Sequence, residues 1–203
     1  MPQTGLVQSR AVGHHALLVE VADADAALSL ATWARESCVD AVEVVPAAAS
    51  VLFDGVADVA ALTRVLSGWS PSAEVPGGEL VELGVRYDGP DLAAVAERWE
   101  VDVATAVERH TSVEYVAEFC GFAPGFSYLR GLPEELAVPR LDSPRSRVPA
   151  GAVGLAGTWC GVYPRSSPGG WHLLGTTDAV LWDQDRDPPA LLPPGTRVRF
   201  IAR

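Results

Sequence analysis

Apolar and polar positions follow two different rhythms along this chain, and the change falls near residue 87. "ALLVEV" (16–21) is a short apolar run ending in β-branched residues, which predicts a strand. "DADAALSLATWARES" opens on aspartates suited to a helix N-terminus and then sets Ala26, Leu30, Trp33 and Ala34 on one helical face. "VDAVEVVPA" (39–47) and "SVLFDG" (50–55) predict two strands with a proline-marked turn between them. "DVAALTRVLSGW" (58–69) predicts a second helix, with Val59, Leu62, Leu66 and Trp69 in one stripe. "SPSAEVPGG" (70–78) reads as a linker or loop, and "ELVELGVRY" (79–87) returns to strand. The order strand–helix–strand–strand–helix–strand is the split βαβ of a ferredoxin-like domain, expected over residues 1–80.

Residues 81–203 read as a second domain. "YDGPDLAAVAERWEVDVATAVERHTS" predicts two short helices capped by Asp91 and Asp102, the first with Leu92, Val95, Ala96 and Trp99 on its stripe. After "YVAEFCGF" (115–122) the helical period ends. The apolar segments "AVGLAG", "CGVYP", "WHLLG", "AVLWD" and "TRVRFIAR" are separated by glycine and proline, which predicts a β-barrel or sandwich. The fold class is α+β.

Composition narrows the functional classes. Apolar residues make up 48% and charged ones 20%, enough for a real core. No apolar run approaches the ~20 residues that span a bilayer, and "MPQTGLVQSR" lacks the basic-then-apolar pattern of a secretion signal. A cytoplasmic protein is expected. Cys38, Cys120 and Cys160 are odd in number and show no CxxC spacing, so they are expected to be reduced apolar fillers. A formal net charge of -11 and a pI of about 4.7 argue against nucleic acid or anionic membrane as partners. All 15 basic residues are arginine. That excludes Schiff-base chemistry, a P-loop lysine and a lysine base, and leaves anions to arginine or backbone N–H groups.

The charge is uneven. Residues 1–80 carry 10 acids against 3 arginines, whereas residues 123–175 carry 5 arginines against 3 acids. Within that second stretch, "PRLDSPRSRVPAG" (139–151) holds Arg140, Arg145 and Arg147 in a loop stiffened by three prolines. Two readings stand: exposed arginines between proline turns, or a bidentate grip on a carboxylate or phosphate. "SSPGGW" (166–171) is either a plain hairpin turn or a loop whose Gly169 and Gly170 aim N–H groups at an anion. "GAVGLAG" (151–157) lacks the GxGxxG spacing and reads as close backbone packing between strands. His110 shares a helical face with Val103 and Val107, a spacing that favours a core or helix-end histidine. His14 and His15 are expected in an exposed turn. No His, Asp and Glu cluster has convincing metal spacing, and Ser127 does not sit in a nucleophile elbow.

Longer motifs carry a resemblance. "HT" (110–111), "GFAPGFSYL" (121–129), "PRLDSPRSRVPAG", "GLAG…GVYP" (154–164), "SPGGWHLLG" (167–175) and "DPPALLPPGTRVRF" (187–200) resemble the KipI / allophanate-hydrolase-subunit-1 family. That family includes the B-type component of bacterial ATP-dependent 5-oxoprolinase. The N-terminal "VGHHALLVEV" and "VEVVPAAASVLF" resemble its start, so the likeness runs over nearly the whole chain. It implies a ferredoxin-like N-terminal domain and a cyclophilin-like β-barrel. It also implies a KipA-like second subunit, an A-type subunit, and ATP (with Mg2+) at a site that a partner can supply. On this resemblance Arg140, Arg145 and Arg147 neutralise phosphate or the substrate carboxylate, and Gly169 and Gly170 offer N–H donors. Phe126, Tyr128 and Trp171 wall the pocket, and His110 is a proton shuttle or carboxylate ligand.

The resemblance implies two alternatives: a KipI-like inhibitor of a histidine kinase, or a carboxyltransferase-like subunit in urea or allophanate metabolism. The chain departs from the family at three places. Trp159-Cys160 stands for a usual Gln-Thr, Thr176 for an arginine, and Gly13-His14 for a Gly-Asp. These put the identity of the substrate in question.

Overall fold

Aspartate carboxylates set the start of three of the four α-helices among the described residues, which in this computed structural model are 6–70 and 78–203. Asp23 accepts the Ala26 N–H at 2.8 Å, Asp58 the Ala61 N–H at 2.9 Å, and Asp102 the Thr105 N–H at 2.7 Å. Each satisfies one of the amides that a first helical turn leaves without a partner. Asp91 stands at the same position of the remaining helix, but its side chain makes no capping bond. Its carboxylate is engaged elsewhere.

The chain divides into two compact units, Met1–Pro76 and Gly77–Arg203. In the first, β1 (Leu6–Ala11), β2 (Ala16–Val21), α1 (Ala24–Glu36), β3 (Glu43–Pro46), β4 (Ser50–Asp54) and α2 (Val59–Leu66) follow one another. The sheet has the order β1-β2-β4-β3, with every neighbouring pair antiparallel. β2 and β3 are therefore parallel, with β4 between them and α1 crossing over. α1 presents Ala26, Ala27, Leu30, Ala31 and Ala34 to Leu17, Val19, Val51 and Phe53, all buried. Alanines on that face let the helix lie close to the sheet, and Leu62, Leu66 and Trp69 complete the core from α2 and its C-terminal turn.

The edge beside β2 differs from expectation. Patterning assigns strand 79–87 to this sheet after the second helix; β1 takes the edge instead. The reason is local. Gly13, at φ +65°, turns the chain directly from β1 into β2, and the Val12 N–H bonds the Ala16 carbonyl at 2.8 Å. "LVQSRA" has little apolar alternation, so hydrophobic patterning passes over it.

The predicted strand does form, as β5 (Leu80–Val85), but it belongs to the second unit. There follow α3 (Leu92–Arg98), α4 (Val103–Ser112), β6 (Glu114–Cys120), β7 (Ser127–Arg130), β8 (Arg145–Val148), β9 (Ala152–Ala156), β10 (Trp159–Val162), β11 (Ser167–Gly169), β12 (His172–Thr176) and β13 (Arg197–Ala202). Seven strands make one sheet in the order β12-β9-β10-β7-β6-β13-β5, with β5 running parallel to β13. The backbone of Arg86, just past β5, exchanges two hydrogen bonds with Thr176 of β12, at 2.9 and 2.8 Å. The sheet thus nearly closes into a barrel, which settles the barrel-or-sandwich alternative. β8 and β11 form a separate two-stranded ribbon.

Inside the barrel, Tyr115, Leu129, Val153, Leu155, Val198 and Phe200 form the core, and α3 adds the expected Leu92, Val95, Ala96 and Trp99. β9 is buried along its whole length, as the close packing expected of "GAVGLAG" requires. A Cβ on Gly154 would stand 3.2 Å from that of Trp171. "AVLWD" forms no strand and contributes one isolated bridge, Trp182 with Ala190. Among the described residues no helix is long and apolar enough to cross a membrane. The cysteines do not share one role: Cys160 is buried, Cys120 half-buried, and Cys38 exposed just past α1.

Replacing Asp23 by alanine removes one capping bond and should destabilise the first unit by about 1 kcal/mol. Equilibrium urea unfolding followed by far-UV circular dichroism would measure the loss, and Asp23→Asn should restore most of it.

Candidate functional site

The barrel's β7–β10 side carries a pocket of about 430 Å³, and a tight turn in "GFAPGF" begins to build it. The Phe126 N–H bonds the Ala123 carbonyl at 2.9 Å and the Gly121 N–H bonds the Phe126 carbonyl at 3.1 Å. This reversal buries Phe126 in the pocket wall and leaves Phe122 exposed at φ 67°. Tyr128 stacks on Phe119 with ring centroids 4.4 Å apart, and Trp159 meets both rings edge-on at 5.4 and 5.9 Å. Trp171 meets Phe126 and Tyr128 edge-on at 5.4 and 5.6 Å. These are the offset and perpendicular arrangements that ring quadrupoles favour. Gly161 makes the arrangement possible, because a Cβ there would come within 2.9 Å of the Phe126 ring and 3.1 Å of Trp171.

Arg140 reaches this aromatic pocket. It is exposed and makes no hydrogen bond or ion pair with the described residues, so its five donors face solvent and whatever enters. Its guanidinium lies beside Gly170, with Nε 3.7 Å from where a Cβ would be. The Gly170 carbonyl in turn accepts the Leu141 N–H at 2.8 Å, tying the arginine loop to "SPGGW".

The three loop arginines do not converge. Arg145 donates to Asp91 Oδ1 at 2.6 Å and to the Trp171 carbonyl at 3.3 Å. The other Asp91 oxygen accepts the Leu173 N–H at 2.7 Å. Arg145 is thus part of a structural clamp. Arg147 bonds the Ser166 hydroxyl at 3.1 Å and, with Arg145, lines a different hollow of about 340 Å³ that includes Pro149 and Leu173. Of the three, Arg140 joins Phe126, Tyr128, Gly169 and Trp171 around the aromatic pocket, while Arg145 and Arg147 line the other hollow.

Gly169 lines the pocket, and its ribbon pairing with Arg145 holds it there. A side chain at Gly169 would collide with the Tyr163 hydroxyl, so glycine is required for space. Gly170 is not among the lining residues. Trp159, the departure expected to alter the pocket, does line it, and so does Tyr163, which motifs alone do not single out as a site residue. The alternation of "WCGVY" is the available signal: Trp159, Gly161 and Tyr163 share one face of a strand and its extension.

His110 stands apart from this pocket, fully buried with Tyr115 and Cys160 inside the barrel and bonded to the half-buried Tyr87. Its Nδ1 lies 2.7 Å from the Tyr87 hydroxyl and its Nε2 3.4 Å from Cys160 Sγ. The Phe200 and Tyr115 rings approach at 4.8 and 5.4 Å. Burial lowers the His110 pKa to about 3, so the ring is neutral at neutral pH. Burial also pushes the Tyr87 and Tyr115 phenols and the Cys160 thiol well up, leaving every member of the cluster uncharged. A proton shuttle or carboxylate ligand needs access to substrate, and this ring has none. The core-histidine reading from spacing describes its placement.

The chain is similar to known proteins in sequence and in fold. The family model for carboxyltransferase domain, subdomain C and D, matches residues 7–192. The chain is 48% identical over 145 residues to the B subunit of 5-oxoprolinase from Escherichia coli O157:H7, covering 70% of this chain and 66% of that one. It is 45% identical over 125 residues to the corresponding 5-oxoprolinase subunit of Bacillus subtilis (strain 168), covering 60% and 52%. The matched stretch therefore spans between about half and two thirds of these relatives' length. Among solved structures, TTHA0988 superposes with a TM-score of 0.80 at 33% identity, covering 97% of this chain and 40% of that one.

Two outcomes follow from the clamp and the neutral histidine. Arg145→Ala leaves the Asp91 carboxylate without its cation and should lower the unfolding free energy by about 2 kcal/mol, read by chemical denaturation. For His110, the folded pKa of about 3 lies below the ordinary value of 6.5. The unfolded chain then binds more protons between those values, so this contribution is full above pH 6.5 and is lost as pH falls toward 3. A plot of unfolding free energy against pH should show that slope, and His110→Gln should flatten it.

Proposed function

The chain belongs to the carboxyltransferase domain, subdomain C and D, family, and from that membership we propose that it is the B-type subunit of an ATP-dependent 5-oxoprolinase, opening 5-oxoproline to glutamate. The observation that carries this reading is the aromatic pocket with one unpaired guanidinium, Arg140, among the described residues. 5-Oxoproline is a small flat lactam ring bearing a single carboxylate. Aromatic walls suit the ring, and an arginine with free donors suits the carboxylate. Both bacterial relatives are 5-oxoprolinase components, which favours this reading over kinase inhibition or urea and allophanate chemistry.

The names of those relatives support a multi-subunit complex, and we take the partners to be a KipA-like subunit and an A-type subunit. The donor set of this pocket does not fit a nucleotide. It offers one guanidinium against the several charges of a triphosphate, and Arg145 is already committed to Asp91. ATP, with Mg2+, therefore belongs on a partner in this reading. The barrel fits a cyclophilin-like class. The first unit fits a ferredoxin-like variant whose fourth strand is β1. Cys38, Cys120 and Cys160 are free thiols, which supports a cytoplasmic setting.

The departures from the family are not equivalent. Cys160 lies against His110 in the core. Thr176 faces the second hollow, donating to Asp88 at 3.2 Å. Only Trp159 lines the aromatic pocket, so any shift in substrate choice passes through it.

The test is 5-oxoproline-dependent ATP hydrolysis by the chain co-expressed with its two partner subunits; a complete complex without turnover would overturn the reading. Arg140→Ala in that complex should raise KM for 5-oxoproline about ten- to hundredfold, the loss expected for one charge-assisted hydrogen bond.

A further inference from the structure

Tyr163 stands next to last in the motif "GLAG…GVYP", and sequence reasoning assigns it no role. The residue is 2% exposed, yet it lines the aromatic pocket. Its backbone is pinned on both sides, the N–H donating to Ala152 at 2.9 Å and the carbonyl accepting from Gly151 at 2.7 Å. Its ring is held edge-on by Phe126 at 5.3 Å and by Phe122 at 6.1 Å. The hydroxyl sits over Gly169, where a side chain would strike it. This is a phenol with little freedom to turn, aimed where the ribbon has been cleared to receive it.

Arg140 and Arg145 bear electrostatically on the phenol oxygen. Among the described residues no acceptor takes the phenol proton. Burial, the largest influence, holds the phenol above its ordinary range, so that proton stays in place. The remaining polar groups of the pocket divide clearly. Arg140 is an exposed cation at the rim, and Tyr163 is a buried, neutral, oriented donor in the wall.

We infer that the Tyr163 hydroxyl donates a hydrogen bond to the lactam oxygen of the bound substrate, with Arg140 holding the carboxylate. As water adds to the lactam carbon, electron density moves on to that oxygen, where an oriented donor stabilises it. The charge then returns as the ring C–N bond breaks and the nitrogen leaves protonated as the amine of glutamate, ATP being consumed on a partner subunit. The Asp91–Arg145 clamp serves this arrangement at one remove, because it fixes Trp171 and Gly169 around the phenol. The inference rests on the 5-oxoprolinase reading and adds a residue to it.

The experiment uses the co-purified complex with Tyr163→Phe, which removes only the hydroxyl. 5-Oxoproline-dependent ATP hydrolysis should fall about 10²-fold or more in kcat, the loss typical of one oriented oxyanion donor. KM should stay within about threefold, and the thermal midpoint should be unchanged, which separates donation from packing. If Y163F fails to assemble, 3-fluorotyrosine at position 163 keeps the ring and alters only the donor strength; kcat should then change. A wild-type complex with no turnover defeats the 5-oxoprolinase reading. A wild-type complex that turns over while the assembled Y163F complex keeps full kcat, or the fluorotyrosine complex stays unchanged, defeats the Tyr163 assignment alone.

Discussion

One carboxylate organises the barrel's functional side. Asp91 sits at the start of α3, where an aspartate ordinarily caps its own helix, and instead divides its two oxygens between the Leu173 N–H and the Arg145 guanidinium. The bonds join residues 54 and 82 positions apart in the chain. Through them a helix end, strand β12 and the β8–β11 ribbon become one piece. With 12% and 29% of the side chains exposed, the pair is screened from bulk water more than a surface ion pair. Removing one partner leaves the other as a half-buried charge without its counter-ion.

The clamp also explains how an acidic protein uses an arginine-bearing loop. Concentrating three guanidiniums on one anion would have left them repelling each other whenever the site was empty. The fold distributes them instead. Arg145 is neutralised by Asp91, Arg147 rests on the Ser166 hydroxyl, and Arg140 alone keeps its donors for the pocket. Prolines 139, 144 and 149 keep the loop stiff, so little ordering entropy is lost in holding Arg140 at the rim.

Polar groups inside the barrel follow a different rule. His110, Tyr87, Tyr115 and Cys160 all stay neutral because burial penalises every charged form they have. The polar contacts of His110, to Tyr87 and Cys160, are with groups able to share a proton without ionising. The same chemistry that makes histidine useful at a surface makes this one a structural member of the core.

The helices, their apolar stripes, the aspartate caps of α1 and α4 and most strands were legible in the sequence, because period and capping chemistry act over a few residues; Asp91 reads as a cap but makes no capping bond. β1 was not, since its short alternation is weak, and β5 was read as a strand but placed in the wrong sheet. Pairing partners are chosen by buried area across long chain separations, which periodicity does not encode. The site divides in the same way. The aromatic wall of Phe126, Tyr128 and Trp171 and the anion-binding role open to Arg140 could be read from motifs. The clamping of Arg145 and the placing of Tyr163 over Gly169 could not, whereas the burial of His110 is what its helical spacing favoured. Residue types determine which chemistry is available to this protein; tertiary structure decides which groups are already satisfied, and only an unsatisfied group is free to act on a ligand.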